Sequence, residues 1–322
     1  MITTSRLPVC KSFLSRSSLR LVTATRFLSS TTNSSSTNTR IPLHGLTPSH
    51  ICYYWDTQIP NKSQLAYADK FFKPSRHSPV KLWSASKFRT TPLSSLEPEV
   101  AFLGRSNVGK SSLLNAIMGK EICWTSSKPG RTREMNAFGI GGTKGGESKI
   151  VLLDMPGYGA ASRAEWGKEI MKYLQGRKQL RRVFVLVDTL HGLKTTDNTI
   201  LMLLRQYGIS HQIILSKVDK VLMNRNKQAK SGISQANITT LKTILEGLKP
   251  AIQPDGRLEG PGALGEIITC SADTPAGSLG ISAVRWAILS AAGFDGSVQV
   301  KDASASPPLL EPAISKVSTA AS

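Results

Sequence analysis

The segment 104–111 restricts the fold of this 322-residue chain more than any other part of its sequence. It fits the pattern GxxxxGK[ST], follows a short apolar run at 99–103 and precedes a stretch, 110–119, that reads as a helix. In that setting the backbone N–H groups and the helix N-terminus point at phosphate oxygens. The segment therefore predicts a phosphate-binding loop. Its residues are Gly104, Arg105, Ser106, Asn107, Val108, Gly109, Lys110 and Ser111, with Ser112 next in the helix.

A second motif lies downstream, at the end of the apolar run 150–153. It consists of Asp154, Met155, Pro156 and Gly157. Alone, Asp-x-Pro-Gly is also an ordinary turn, but after a phosphate-binding loop it indicates a binding site for a nucleoside triphosphate. Lys110 is then expected to reach the β and γ phosphates, while the Ser111 hydroxyl binds Mg²⁺ directly and Asp154 binds it through water. The Gly157 N–H can contact the γ-phosphate.

The third and fourth motifs concern the base. The third is Ser216, Lys217, Val218 and Asp219, and the fourth is Cys270, Ser271 and Ala272. The Asp219 carboxylate can accept hydrogen bonds from the guanine N1–H and 2-amino groups, which adenine lacks. The Lys217 stem would cover the base and ribose, and the Ala272 N–H could contact guanine O6. Each motif is common by itself, but their order along the chain predicts a site for GTP and GDP.

Candidate strands and helices alternate through the central part of the chain. This alternation predicts an α/β fold with a mainly parallel central sheet flanked by helices. Together with the four motifs, it predicts a three-layer P-loop GTPase domain. We predict strands at 99–103, 134–140, 149–154, 183–188, 211–215 and 266–269, with 266–269 as the last strand. We predict helices at 110–119, 163–179, 196–207, 236–248 and 279–291, and a Pro/Gly-rich loop at 249–264.

Composition divides the chain into four parts. We expect a targeting segment and linker at 1–40, a basic N-terminal extension at 41–95 that packs partly on the main domain, the GTPase domain at 96–295, and a disordered tail at 296–322. The net charge of +20 is concentrated before residue 96, which holds +11, while 96–295 holds +9. Such an excess is compatible with RNA binding. No CxxC pair occurs among the four cysteines, which argues against a zinc site and a disulfide framework.

The first forty residues have the composition of an organellar address. They hold six basic residues and no acidic one, in a stretch rich in Ser and Thr with interspersed Leu and Phe. A basic amphipathic helix of this kind is typical of a mitochondrial transit peptide, so we expect the protein in the mitochondrial matrix. A chloroplast address is the minor alternative, and a plain basic tail is the non-functional one. No apolar run reaches the roughly 18 residues of a membrane-spanning helix.

From about residue 83 to 291 the chain resembles the EngB (YihA-like) family of ribosome-associated GTPases. The similarity is dense in 104–112, in 154–159, in the Lys-Pro-Gly-Arg-Thr run 128–132, and at Trp166, Tyr173, Leu174, Arg177 and Leu180. The resemblance implies that Gly130 and Arg131 line the site, and that Thr132 is the switch residue that closes on Mg²⁺ and the γ-phosphate. It also implies a role in assembly of the large ribosomal subunit. The predicted transit peptide makes this the mitochondrial subunit, and we expect that subunit or its rRNA as partner. Ser216 departs from the usual Asn or Thr but keeps a hydroxyl.

The sequence also suggests how hydrolysis proceeds. Tyr158 occupies the position where many small GTPases carry the water-orienting Gln, so we expect slow intrinsic hydrolysis with Lys110, Thr132 and Asn107 as the catalytic residues. An Asn at the position of Asn107 helps several related GTPases to hold K⁺, which could supply positive charge at the phosphates. Arg131 and Arg133 are alternative charge donors.

We expect a monomer. The alternatives left open are a P-loop ATPase or kinase, and a non-catalytic, nucleotide-dependent RNA-binding or scaffold protein.

Overall fold

The structure is a computed structural model that describes residues 40–92, 96–123, 134–144, 148–158, 164–223, 232–254, 261–274 and 277–295. The predicted targeting segment, the C-terminal tail and the switch residues Gly130, Arg131 and Thr132 lie outside these ranges. Among the described helices, none combines the length and apolar character needed to cross a bilayer.

An eight-stranded sheet forms the centre of the fold, in the order β2-β10-β8-β7-β4-β6-β5-β3. Its five inner strands β10, β8, β7, β4 and β6 are parallel, whereas β5, β3 and β2 run antiparallel to their neighbours. The strands are β1 Arg40–Ile41, β2 Tyr53–Tyr54, β3 Val80–Ala85, β4 Glu99–Gly104, β5 Met135–Ile140, β6 Ile150–Asp154, β7 Leu180–Asp188, β8 His211–Ser216, β9 Ile233–Ser234, β10 Glu266–Thr269, β11 Ser271–Thr274 and β12 Gly277–Leu279.

Helices cover both faces of this sheet, which explains why every residue of β4, β6 and β8 is buried. The predicted α/β fold with a mainly parallel sheet is therefore confirmed. The helices are α1 Pro48–Ile51, α2 Lys62–Phe71, α3 Lys110–Met118, α4 Ala164–Gly176, α5 Thr195–Gln206, α6 Asp219–Leu222, α7 Gln235–Ile252 and α8 Ile281–Ala292.

The extension before residue 96 supplies both edges of the main sheet. β2 pairs with β10 at one edge and β3 pairs with β5 at the other. Helix α2 packs against α8, where Asp69 forms an ion pair of 2.8 Å with Arg285. Arg285 also donates from Nε to the carbonyl of Ile117 in α3, at 2.9 Å. The extension is thus tied to the same core as the central strands.

Two sequence predictions after residue 235 were wrong. Helix α7 continues to Ile252 through Pro250, so the predicted loop at 249–264 begins too early. A proline in the last turn removes only one helical hydrogen bond, which allows the helix to end two residues later. Strand β10 is not the last strand, because β11 and β12 form an antiparallel pair after it.

Candidate nucleotide-binding site

The phosphate-binding loop connects the end of β4 to the start of α3. Two of its residues have left-handed backbone, Asn107 with φ +66° and Gly109 with φ +96°. A Cβ on Gly104 would lie 2.7 Å from Cγ1 of Val108, so this position has room only for glycine. The loop thus curls tightly into the N-terminus of α3, whose first N–H groups have no partner within the helix. This is the backbone geometry of a phosphate cradle.

Lys110 and Asp154 meet beneath this loop. Asp154 ends β6, which neighbours β4 in the sheet, and the Lys110 ammonium contacts its Oδ1 atom. Both side chains are buried. A bound phosphate would give Lys110 an anionic partner, and a bound cation would give Asp154 a positively charged partner. The two groups therefore have the complementary charges that a metal–phosphate ligand needs.

The donor set here fits Mg²⁺. Mg²⁺ takes oxygen ligands, and in nucleotide sites it is held by one or two protein groups together with phosphates and water. Asp154 supplies a carboxylate and Ser111, in the first turn of α3, supplies a hydroxyl. No cluster of three or more His, Cys, Asp or Glu residues occurs in the described part of the chain.

The Asp-x-Pro-Gly segment lies directly against the phosphate-binding loop. The Tyr158 N–H donates to the Gly104 carbonyl at 3.2 Å, and the Ser106 N–H donates to the Tyr158 carbonyl at 3.3 Å. Between them, a Cβ on Gly157 would lie 3.1 Å from the Ser106 nitrogen. A side chain at 157 would push the two segments apart, so glycine permits this close approach. Met155 and Pro156 are buried beside it.

Lys217 joins the base-binding motif to the phosphate-binding loop. Its backbone is left-handed, with φ +60°. Its ammonium donates to the Asn107 carbonyl at 2.7 Å and to Oδ2 of Asp188 at 2.8 Å. The side chain therefore spans the gap between β7, β8 and the loop.

Asp188, at the end of β7, is the anionic anchor of Lys217. Burial alone would raise the pKa of this carboxyl, but contacts from Lys217, His191 and the Leu190 N–H outweigh it and lower the pKa to about 2. Asp188 is consequently ionised at neutral pH. Sequence analysis missed this residue, because an Asp that ends a buried strand belongs to none of the four motifs.

Ser216 and Asp219 occupy the base-binding end of the site. The buried Ser216 hydroxyl donates to the Val108 carbonyl at 2.8 Å, so it braces the phosphate-binding loop. Ser271 donates from Oγ to Oδ1 of Asp219 at 2.6 Å. The Val218 N–H donates to the Cys270 carbonyl at 3.3 Å, which ties the third motif to the fourth. One oxygen of Asp219 is thus fixed by Ser271, while Ala272 follows in β11.

The four motifs therefore converge at the carboxyl ends of the parallel strands, where α/β sheets bind their ligands. One further buried cluster was missed by sequence analysis. Asp197, near the start of α5, contacts both Tyr158 and Arg105. An Asp at the third position of a helix reads as a routine capping residue, so no sequence signal connected it with the site.

Comparison with known proteins identifies the family. Residues 99–217 match the family model described as 50S ribosome-binding GTPase. A probable GTP-binding protein EngB from Bartonella bacilliformis is 40% identical over 203 residues, which is 60% of this chain and 84% of the relative. The chain belongs to the EngB family. Another probable EngB, from Rhizobium meliloti, is 42% identical over 166 residues, or 49% of this chain and 72% of the relative.

The resemblance to EngB proteins is therefore confirmed, and the chain is a GTP-binding protein of a GTPase family. A crystal structure of a probable GTP-binding protein EngB also matches this EngB chain, over 61% of its length and 98% of that protein. The two are 20% identical with a TM-score of 0.39, and the family assignment rests on the sequence relatives instead.

Proposed function

We propose that this EngB protein hydrolyses GTP as a switch in assembly of the mitochondrial large ribosomal subunit. The observation that carries the proposal is the joining of the four motifs around one loop, with Lys217 on the Asn107 carbonyl and Ser271 on Asp219. Such a site selects guanine and reads the γ-phosphate. The family model, described as ribosome-binding, and the basic charge support a ribosomal partner.

In the proposed reaction the protein positions the nucleotide and stabilises charge on the transferred phosphoryl group. Bound Mg²⁺ would neutralise the negative charge that develops on the phosphates. Ser111 would hold it directly and Asp154 through water, while Lys110 would leave Asp154 for the β and γ phosphates. Thr132, which lies outside the described residues, would close over the γ-phosphate. Segments 125–134 and 155–165 would then report whether GTP or GDP is bound.

Slow intrinsic hydrolysis is part of the proposal. The Tyr158 side chain is only 9% exposed and its hydroxyl donates to Oδ1 of Asp197 at 2.8 Å. Held in this way, it does not face an attacking water as a catalytic glutamine would.

Another source of positive charge is then needed, and K⁺ held at Asn107 is our candidate. We expect turnover to be several-fold faster in KCl than in NaCl of equal ionic strength. Equal rates would exclude K⁺ and favour Arg131 or Arg133.

Activation by the ribosome is the next test. GTP and ATP turnover should be measured for the purified protein, alone and with mitochondrial large ribosomal particles. We expect GTP hydrolysis alone, stimulated by the particles. ATP hydrolysis would indicate the P-loop ATPase alternative. No turnover of either nucleotide on the particles would indicate a non-catalytic RNA-binding or scaffold protein.

The mitochondrial location rests on the acid-free, arginine-rich first forty residues. Import of the labelled chain into isolated mitochondria and chloroplasts tests it. We expect uptake by mitochondria that depends on membrane potential, and a chain that lacks residues 1–39 should remain outside. Uptake by chloroplasts alone would support the minor alternative.

A further inference from the structure

The Asp197 carboxylate connects three separate parts of the nucleotide site. Its side chain is fully buried near the start of α5. Oδ1 accepts the Tyr158 hydroxyl at 2.8 Å, and Oδ2 lies 3.0 Å from Nε of Arg105. Oδ2 also accepts the backbone N–H of Lys194 at 2.8 Å. One carboxylate thus joins the phosphate-binding loop, the residue after the Asp-x-Pro-Gly motif, and a helix N-terminus.

The charges in this network are paired, although the buried Nε of Arg105 approaches Asp197 as an ion pair and makes no hydrogen bond of its own. Arg105 donates from Nη2 to the Gly192 carbonyl at 3.1 Å, in addition to its ion pair with Asp197. The N-terminus of α5 favours negative charge at Asp197. A buried carboxylate that loses a partner is costly, so the network resists rearrangement. Burial, together with Asp197, also raises the pKa of the Tyr158 hydroxyl.

The consequence for catalysis lies one residue before Tyr158. Gly157 directly precedes Tyr158, and a Cβ on Gly157 would lie 3.1 Å from both the nitrogen and Oγ of Ser106. The Tyr158 backbone is bonded on both sides, to Gly104 and Ser106. These two backbone bonds and the Tyr158 ring held by Asp197 together restrict where the Gly157 N–H can lie relative to the loop. That N–H is the group expected to contact the γ-phosphate, which GDP lacks.

We propose that Asp197 is a positioning residue that, through Tyr158, holds the Gly157 N–H in place for the γ-phosphate. Asp197 thereby determines how strongly the protein prefers GTP to GDP. The inference rests on the proposed function in one respect, namely that GTP binds the loop and Gly157 meets its terminal phosphate. It gives Tyr158 a role of its own in place of the absent glutamine.

A second buried triad in the same protein provides a matched control. The Tyr173 hydroxyl donates to Oε2 of Glu99 at 2.7 Å, and Arg177 pairs with Oε1 of Glu99 at 2.6 Å. Tyr173 and Glu99 are fully buried, like Asp197. The chemistry is the same, but Glu99 begins β4 whereas the phosphate-binding loop follows its other end. Loss of the Tyr173 hydroxyl should therefore affect stability without affecting the γ-phosphate.

The experiment compares Tyr158→Phe with Tyr173→Phe in the full chain. Affinities are measured by titrating GDP or a non-hydrolysable GTP analogue into the protein in the presence of Mg²⁺, and stability is measured by urea unfolding. We expect Tyr158→Phe to weaken analogue binding about tenfold and GDP binding less than about twofold, because the site is less often in its competent arrangement. Tyr173→Phe should lower stability to a similar extent and leave the ratio of the two affinities at the wild-type value.

Asp197→Asn and the double variant with Tyr158→Phe complete the cycle. If both residues act through one contact, the double variant should lose no more analogue affinity than the worse single variant. Two results overturn the proposal: equal weakening of GDP and analogue by Tyr158→Phe, or losses in the double variant that multiply. A wild-type protein that binds neither nucleotide would contradict the proposed function itself.

Discussion

Lys217 and Asp188 link the two halves of the nucleotide site at the level of single residues. Asp188 is nearly buried, with 6% of its side chain exposed, and its pKa lies near 2 instead of its ordinary 3.8. Because the pKa of Asp188 is lower in the folded state, its ionised carboxylate contributes fully to the free energy of unfolding above about pH 4. This contribution is lost as the pH falls towards 2.

We therefore expect Asp188→Asn to lower the free energy of unfolding by about 1–2 kcal/mol at pH 7, a value reduced for the partial exposure of Lys217. The difference from wild type should shrink between pH 4 and pH 2. Urea unfolding across this pH range measures it. Asp69→Asn, at a pair where Asp69 is 43% exposed, is the control and should cost less than about 1 kcal/mol at pH 7. A pH-independent effect of Asp188→Asn would contradict the ion-pair account.

Asp219 is the residue that we expect to select guanine. An asparagine there would present an amide N–H₂ to the base, which suits the 2-oxo group of xanthine and not the 2-amino group of guanine. Asp219→Asn should therefore weaken GTP binding by about 100-fold or more and strengthen XTP binding. Competition titrations with GTP, XTP and ATP measure the preference. Unchanged preference for GTP would place the base elsewhere in the site.

Sequence analysis located the four motifs because each is a short run with its own chemistry. It did not find Asp188 or Asp197, because their roles depend on partners distant in the chain. Asp197 meets Arg105 and Tyr158 only once β4, β6 and α5 are assembled. The bracing of the Val108 carbonyl by Ser216 was likewise invisible in sequence, where Ser216 appeared only as a departure from the usual Asn or Thr.

At the level of elements, the segment before residue 96 is where sequence and structure differ most. Its edge strand β2 has two residues and is defined by pairing with β10. Such short strands carry no periodicity, and long-range pairing decides them. The central strands were predictable because they are apolar runs buried on both faces. The β11–β12 pair was missed for the same reason as β2.

Packing of the extension can be tested with two isoleucines that it contains. Ile51 is 2% exposed in the core and its carbonyl accepts the Thr269 hydroxyl at 2.9 Å, whereas Ile59 is 49% exposed. Ile51→Ala should lower the free energy of unfolding by about 3 kcal/mol, and Ile59→Ala by less than about 0.5 kcal/mol. Equal effects in urea unfolding would mean that the extension does not share the core of the GTPase domain.

At the level of the whole molecule, charge and nucleotide control have to act together. The chain carries +20 overall, and residues 96–295 alone carry +9. Contacts with rRNA phosphates would release counterions, so we expect the affinity for ribosomal particles to fall steeply, on the order of 10-fold or more between 50 and 200 mM salt. We expect the nucleotide to change this affinity through the switch segments, which GTP would order and GDP would not.

Co-sedimentation of the full chain with mitochondrial large ribosomal particles tests the central claim most directly. It is run at fixed salt with a non-hydrolysable GTP analogue, with GDP and without nucleotide. We expect about tenfold more protein to sediment with the analogue than with GDP, as a coupling between nucleotide and ribosome requires. Asp219→Asn should lose this difference with the GTP analogue. Equal sedimentation of the wild-type protein in all three states, or none in any, would contradict a GTP-controlled role on this subunit.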